Sequence, residues 1–247
     1  MKVNAQSTGG SPAPRTLFIG DLHLSAERPD ILAAFERFLL TQLDYADALY
    51  IVGDLFEIWI GDDDRNDFTD SVAAMLNQAS KQLPIYFTHG NRDFVLGKRF
   101  AKRAGMTLLP QVHKVDLYGV STVVLHGDML CTADIEYQKY RRLWPLYKLL
   151  PIFVPLSKRK QMTANVRTRS QARTQQLSNE IMDVTPAAVD KMLKDNNAQQ
   201  MIHGHTHKPA IHALANNKQR LVVGDWYQQD SVLIVTPAGC ELLSKPL

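Results

Sequence analysis

The chain has 247 residues, 45% hydrophobic and 21% charged, with a formal net charge of +3; this suits one large α/β domain with a substantial core and excludes disordered and fibrous classes. No apolar stretch approaches the ~18 residues of a transmembrane helix, and Cys131 and Cys240 are far apart and in no metal-like spacing, which argues against a disulfide framework and for a reducing compartment. Charge is unevenly spread: Tyr137 to Arg173 holds ten Lys or Arg and no Asp or Glu, a basic segment on an acidic body, suited to a phosphate-bearing ligand or an anionic surface.

Residues 1–14, rich in Ser, Gly, Pro and Ala, lack the apolar core of a signal peptide and read as a disordered tail. Short apolar runs then recur at Thr16–Gly20, Ala48–Gly53, Ile85–Gly90, Thr122–Gly127 and Gln200–Gly204. Each is ended by Gly and followed by polar residues, the pattern of a buried strand leading into a functional turn. Helical periodicity appears over Pro29–Leu43, Asp70–Leu83 and Phe94–Ala104, so strands and helices alternate as in βαβ units. Val112–Leu117 and Ser121–Leu125 read as a hairpin around Tyr118-Gly119, and Leu221–Gly224 and Ser231–Thr236 as later strands. These elements predict two packed sheets flanked by helices.

Five motifs follow the apolar runs: Gly20-Asp21-Leu22-His23, Gly53-Asp54-Leu55-Phe56-Glu57, Gly90-Asn91-Arg92-Asp93, His126-Gly127-Asp128 and Gly204-His205-Thr206-His207. From Asp21 to Asp54 to Asn91 to His126 the steps are 33, 37 and 35 residues, but His126 to His205 takes 79. The longer step contains the basic segment, and Asp134–Asp183 is read as a helical insertion. Taken singly the motifs are weak, since a Gly-Asp is usually a turn. Taken together at strand ends, they converge in one cleft. Carboxylate, imidazole and amide donors suit Mn²⁺, Fe²⁺ or Zn²⁺ better than Ca²⁺ or a thiolate-bound metal, and a pair of such ions would activate water for phosphoryl displacement. His203 and His89 fit supporting or core roles, and His113 and His212 structural ones.

The five motifs resemble those of the calcineurin-like metallophosphoesterases, with one departure: Arg92 stands where that family has His. An Arg fork holds phosphate oxygens at any physiological pH. Asp-Leu-His-Leu, Gly-Asp-Leu-Phe-Glu, Trp59-Ile60-Gly61-Asp62-Asp63, His89-Gly90-Asn91-Arg92-Asp93-Phe94, Ile181-Met182-Asp183-Val184 and Gly224-Asp225-Trp226 are similar to those of a narrower group, the UDP-2,3-diacylglucosamine hydrolases of lipid A biosynthesis.

The resemblance implies an α/β fold, a four-layer α/β/β/α sandwich with a helical cap over 134–183 and a core of 15–133 and 184–247. It implies two divalent ions, with Mn²⁺ expected. Asp21, His23, Asp54 and His207 would hold one, Asp54, Asn91, His126 and His205 the other, with Asp54 bridging. Metal-activated water would attack the α-phosphorus of UDP-2,3-diacylglucosamine and release UMP and 2,3-diacylglucosamine 1-phosphate (lipid X). Asn91 and Arg92 would be catalytic, and Asn91, Arg92, Asp134, Arg167, Ser170, Thr174 and His205 would contact substrate. Leu177 stands where relatives often carry Lys. Asp93 and Asp128 would support the ligands. The apolar runs Leu143–Tyr147 and Leu149–Leu156 would form an acyl-chain chamber with a basic mouth. The expected setting is the cytoplasmic face of the bacterial inner membrane, as a peripheral monomer without nucleic acid. Two alternatives remain: another two-metal phosphoester hydrolase, or a non-catalytic scaffold, which occupied ligand positions disfavour.

Overall fold

The computed structural model describes residues 13–163 and 183–246. The first four apolar motifs begin as β1 (Arg15–Ile19), β2 (Ala46–Val52), β3 (Ile85–Thr88) and β6 (Val120–Leu125), and the fifth as β7 (Gln200–His203). β4 (Met106–Leu108), β5 (Val112–Leu117), β8 (Ala210–Ala213), β9 (Gln219–Val222), β10 (Gln229–Thr236) and β11 (Gly239–Pro246) complete two sheets. The first runs β11-β10-β1-β2-β3-β4, the second β5-β6-β7-β9-β8. β1 through β4 are parallel, as are β6, β7 and β9. Parallel strands need crossovers, which helices supply except between β7 and β9, where β8 intervenes.

Alternation along the strands explains the layers. Leu17, Ile19, Leu49 and Ile51 pack outward with Ile31, Phe35 and Phe38 of α1 (Pro29–Thr41) and Val72 and Leu76 of α2 (Asp67–Ala79). Phe18, Tyr50 and Val52 face the other way, against Val124, Ile202 and Leu221 of the second sheet. Val123, Leu125 and Met201 then pack on Val189 and Leu193 of α8 (Pro186–Asp195). Strands buried on both faces read as continuous apolar runs, and the four-layer α/β/β/α sandwich is present.

Helix ends differ from expectation for local reasons. Asn66 caps α2 by accepting from the Thr69 amide while Thr69 Oγ1 accepts from the Asn66 amide, so the helix starts at Asp67. It stops before Leu83, whose following Pro84 disfavours helix. α3 is confined to Lys98–Arg103, because the Asp62 carboxylate accepts from the Gly97 and Phe100 amides at its start. β4, β8 and β11, which the sequence pattern did not suggest, are short, partly exposed, or at sheet edges.

The described part of the insertion is helical: α4 (Ile135–Arg141), α5 (Trp144–Tyr147), α6 (Leu150–Phe153) and α7 at 156–163. Trp144 anchors it. The indole is buried, stacks on Phe94 of the core at 4.5 Å and 10°, and has the Arg141 guanidinium over its ring, 4.8 Å from the centroid. The apolar run divides between faces: Trp144 is buried, whereas Leu146, Ile152 and Phe153 are 63%, 71% and 75% exposed.

Candidate metal centre

Every candidate ligand follows a strand at the same edge of the sandwich: Asp21 and His23 after β1, Asp54 after β2, Asn91 after β3, His126 after β6, His205 and His207 after β7. Asp21, His23, Asp54, His205 and His207 have φ of 51°, 51°, 52°, 69° and 54°. Side-chain-bearing residues adopt this left-handed region at a cost and keep it where surrounding contacts enforce it. Here the enforcing bonds run between strand ends: the Asp21 amide donates to Gly53 O at 3.1 Å and the His23 amide to Asp54 O at 3.0 Å. Glycine permits the close approach. A Cβ on Gly90 would collide with the Asp54 carboxylate, and one on Gly204 with that of Asp21.

All seven side chains meet. His23 Nε2 lies 3.4 Å from His207 Nε2, and His207 Nε2 3.5 Å from Asp21 Oδ1. On the other side, His126 Nε2 lies 3.0 Å from Asn91 Oδ1 and 3.2 Å from His205 Nδ1. Asp54 Oδ2 sits between the groups, 3.8 Å from His23 Nε2 and 3.6 Å from His126 Nε2. Asp21, His23 and His207 form one metal-compatible cluster, and Asp21, Asp54 and His126 another.

Surrounding bonds select which atoms face inward. His23 Nδ1 is 2.9 Å from Glu57 Oε2 and His126 Nδ1 is 2.9 Å from Val52 O. Both partners can only accept when Glu57 is ionised, so Nδ1 carries its proton outward and Nε2 is the nitrogen that faces the centre. Asp54 Oδ1 accepts from the Arg92 amide at 2.8 Å and Asp21 Oδ2 from the His205 amide at 2.7 Å, leaving Oδ2 and Oδ1 respectively for the centre. Among the described residues Asp21 Oδ1 is buried without a hydrogen-bond partner. A buried acceptor of this kind, among inward-facing nitrogens, fits a cation.

The electrostatics agree. Burial alone would raise the Asp21 pKa, but His207, His126 and His23 outweigh it and hold the carboxyl below its usual range. Burial pushes His126 down, yet Asp54, Asp21 and Asp128 overcome this and lift it to about 9. His205 is pushed down to about 4 by burial and by His126. Asp93, expected in support, accepts from the Leu55 and Gly90 amides at 2.7 and 2.9 Å; burial and Asp54 raise it to about 7.

Sequence reasoning missed several supporting groups. Asp128 was expected in support, but its own partners were not: it accepts from Tyr137 Oη at 2.7 Å and Arg141 Nε at 2.6 Å, tying α4 to the ligand loop. The Tyr137 ring lies over His205 at 6.1 Å and 29°. Tyr227 stacks on His23 at 5.0 Å and 17°. Glu57 had a legible signal, standing three residues after Asp54 in the same motif. Tyr137 and Tyr227 had none.

Arg92 and Asn91 line a cavity of about 240 Å³ whose other walls include Trp59, Phe94, Tyr147, Leu150 and Met162. It joins the centre to the inner face of the insertion. Leu149 and Phe153, expected in an acyl chamber, are instead 43% and 75% exposed, because the short helices α5 and α6 turn those positions outward. Asp134 is buried and caps α4, its Oδ1 accepting from the Tyr137 amide at 3.0 Å. Arg167, Ser170, Thr174 and Leu177, like the tail through residue 12, lie outside the described residues.

The sequence profile of the calcineurin-like phosphoesterases matches residues 14–209. A UDP-2,3-diacylglucosamine hydrolase from Shewanella piezotolerans is 56% identical over 234 residues, covering 94% of this chain and 98% of the relative. The chain belongs to the UDP-2,3-diacylglucosamine hydrolase family, within the calcineurin-like phosphoesterases. The Shewanella oneidensis hydrolase is 57% identical over 240 residues, with coverage of 94% and 98%. Among solved structures, an archaeal phosphodiesterase aligns with a TM-score of 0.50 and 13% identity over 94% of this chain and 99% of its own, a likeness of fold alone.

Proposed function

We propose that this chain hydrolyses the pyrophosphate of UDP-2,3-diacylglucosamine, giving UMP and 2,3-diacylglucosamine 1-phosphate. The observation that carries this reading is a junction of two unlike environments: a nest of seven O and N donors meets a mostly apolar cavity at Asn91 and Arg92. A phosphate ester with an acylated leaving group matches both sides, as do the names of the relatives.

Asp21, His23, Asp54 and His207 would hold one divalent ion, and Asp54, Asn91, His126 and His205 the second, with Asp54 common to both. Two Mn²⁺ ions suit this donor set. When bound, such a pair supplies Lewis-acid polarisation of the phosphoryl group and eases deprotonation of water. The remaining work belongs to the chain. Glu57 and Val52 O hold His23 and His126 in the inward-facing tautomer. Arg92, its backbone fixed by the Asp54 carboxylate and by Trp59, presents a charged fork at the cavity mouth, where charge develops on phosphoryl oxygens. Water attack on the α-phosphorus breaks its bond to the bridging oxygen, which leaves with the β-phosphate. Asp134, Arg167, Ser170 and Thr174 would supply further substrate contacts.

Turnover in heavy-oxygen water followed by mass spectrometry tests the reaction: label should appear in UMP. Label in the sugar phosphate would refute attack at the α-phosphorus, and absence of turnover with added Mn²⁺ would refute the activity. Arg92→Ala should lower kcat about 10²-fold with metal content unchanged, and metal loss would reassign the residue.

The outward face of the insertion supports the membrane reading. Leu146, Ile152 and Phe153 are exposed on a segment that also carries the exposed Lys158, a combination of apolar and cationic side chains suited to the interface of an anionic bilayer. No helix among the described residues is long and apolar enough to cross a membrane. The bilayer concerned would be the inner membrane, approached from the cytoplasm. Ile152→Asp with Phe153→Asp should abolish cosedimentation with phosphatidylglycerol vesicles; undiminished binding would remove this surface from the account.

A further inference from the structure

Arg159 is the buried cation of the insertion, 3% exposed among the described residues of that segment. A guanidinium placed there must satisfy its donors or pay a large desolvation penalty. It does so across the boundary with the core. Nε donates to Val154 O at 2.8 Å within the insertion, Nη1 donates to Ile60 O, and Nη2 pairs with the Asp63 carboxylate. The Asp63 pKa is held below the usual carboxylate range, chiefly by that hydrogen bond. Next to it, Lys160 Nζ pairs with Asp64 Oδ1 at 2.8 Å.

The core is shaped to receive this group. Gly61 has φ of 141°, and a Cβ there would collide with Arg159 Nη1 and lie 2.6 Å from Asp63 Oδ1. The 60–64 loop is itself fixed, because Asp62 accepts from Trp59 Nε1 at 3.1 Å and from the Gly97 and Phe100 amides at 2.8 and 3.0 Å. Trp59 and Ile60, on the core side of this junction, and Arg159 and Met162, on the insertion side, all line the cavity that opens at Asn91 and Arg92. The ion pair therefore joins the two walls of that cavity.

We propose that Asp63 and Arg159 form a pin fixing the insertion to the core, and that Asp63 is thereby a positioning residue for selectivity toward acylated substrate, although it touches neither substrate nor metal. The proposal rests on the reading that the cavity receives acyl chains. Asp63 is the informative position. It is 34% exposed, so removing its charge leaves the fold intact, while Arg159 loses its anionic partner and keeps its carbonyl acceptors. With the pin weakened, the wall carrying Met162 and Leu150 is no longer held at one distance from Trp59. Long acyl chains lose contact, and the phosphoryl chemistry at the other end of the cavity is unaffected.

The test uses the full chain loaded with Mn²⁺ and compares Asp63→Asn with the unaltered protein. Steady-state kinetics are measured with UDP-2,3-diacylglucosamine and with an analogue carrying acetyl groups, alongside metal content and amide hydrogen exchange across residues 144–163. The expected result is a KM about tenfold higher for the long-chain substrate, kcat/KM within about twofold for the acetyl analogue, unchanged metal content, and faster exchange in α6 and α7. Equal losses on both substrates, or unchanged exchange with unchanged KM, would overturn the pin. If the unaltered protein shows the same kcat/KM for both substrates, the acyl-chain reading fails and takes selectivity with it, and the exchange data then report separately on whether the pin exists.

Discussion

Glu57 illustrates how one side chain acts through another. Its carboxylate fixes the His23 ring by accepting from Nδ1 at 2.9 Å, and Tyr227 stacks on a face of that imidazole. Removing such a partner lets the ring turn and lowers its basicity. Glu57→Ala should reduce Mn²⁺ affinity and turnover about 10–100-fold, with Glu57→Gln intermediate because an amide oxygen still accepts. Calorimetric titration with Mn²⁺ checks this, and unchanged affinity in Glu57→Ala would show that Tyr227 and the backbone suffice to orient His23. The motif that contains Glu57 is legible in the sequence. Its partner is not, because nothing in the spacing says which of several nearby acceptors a histidine will choose.

At the scale of elements, the insertion is held by unlike attachments. α4 is tied through Tyr137 and Arg141 to Asp128, and α5 through Trp144 to Phe94. Trp144 is 2% exposed, and burying an indole of this size is worth about 3–5 kcal/mol relative to Ala. Because the Phe94 contact lies between insertion and core, Trp144→Ala should loosen the insertion while leaving the sheets cooperative. Hydrogen exchange should accelerate across 135–153 and stay unchanged in β1, β2 and β6, whereas uniform acceleration would mean that the insertion folds as one unit with the sandwich. A helical insertion is legible from the long interval before His205, but α5 and α6 span four residues each. So few residues define no stripe of their own, and the core decides which side chains they bury.

Across the whole molecule, the clustered charges at the centre couple stability to pH. In metal-free protein His126 is lifted from 6.5 to about 9. A folded-state value above the unfolded one gives stability that is complete below pH 6.5 and is lost as pH rises through 9. His89, His203 and His205 are depressed to about 4, 3 and 4, chiefly by burial. They act in the opposite sense, but below pH 6.5, and above it they are neutral in both states. Chelated protein should therefore show a Tm that falls between pH 6.5 and 9. Mn²⁺-loaded protein, with His126 neutral as a ligand, should not, so the gap between the two forms should widen with pH. A constant gap in scanning calorimetry would mean that His126 does not bind the ion.

Five Gly-ended apolar runs, the order of carboxylates, imidazoles and amide after them, and the long basic step before His205 were determined by the sequence alone. These features are local, and parallel strands flanked by helices bring their carboxyl ends to one edge whatever the details of packing. Which carboxylate oxygen stays free at Asp21, which nitrogen of His23 points inward, and which face of the insertion closes on the cavity were decided by tertiary structure. Each depends on a partner remote in the chain, such as His205 for Asp21 or Asp63 for Arg159, and hydrogen-bond geometry between distant segments exists only once the core has brought them together.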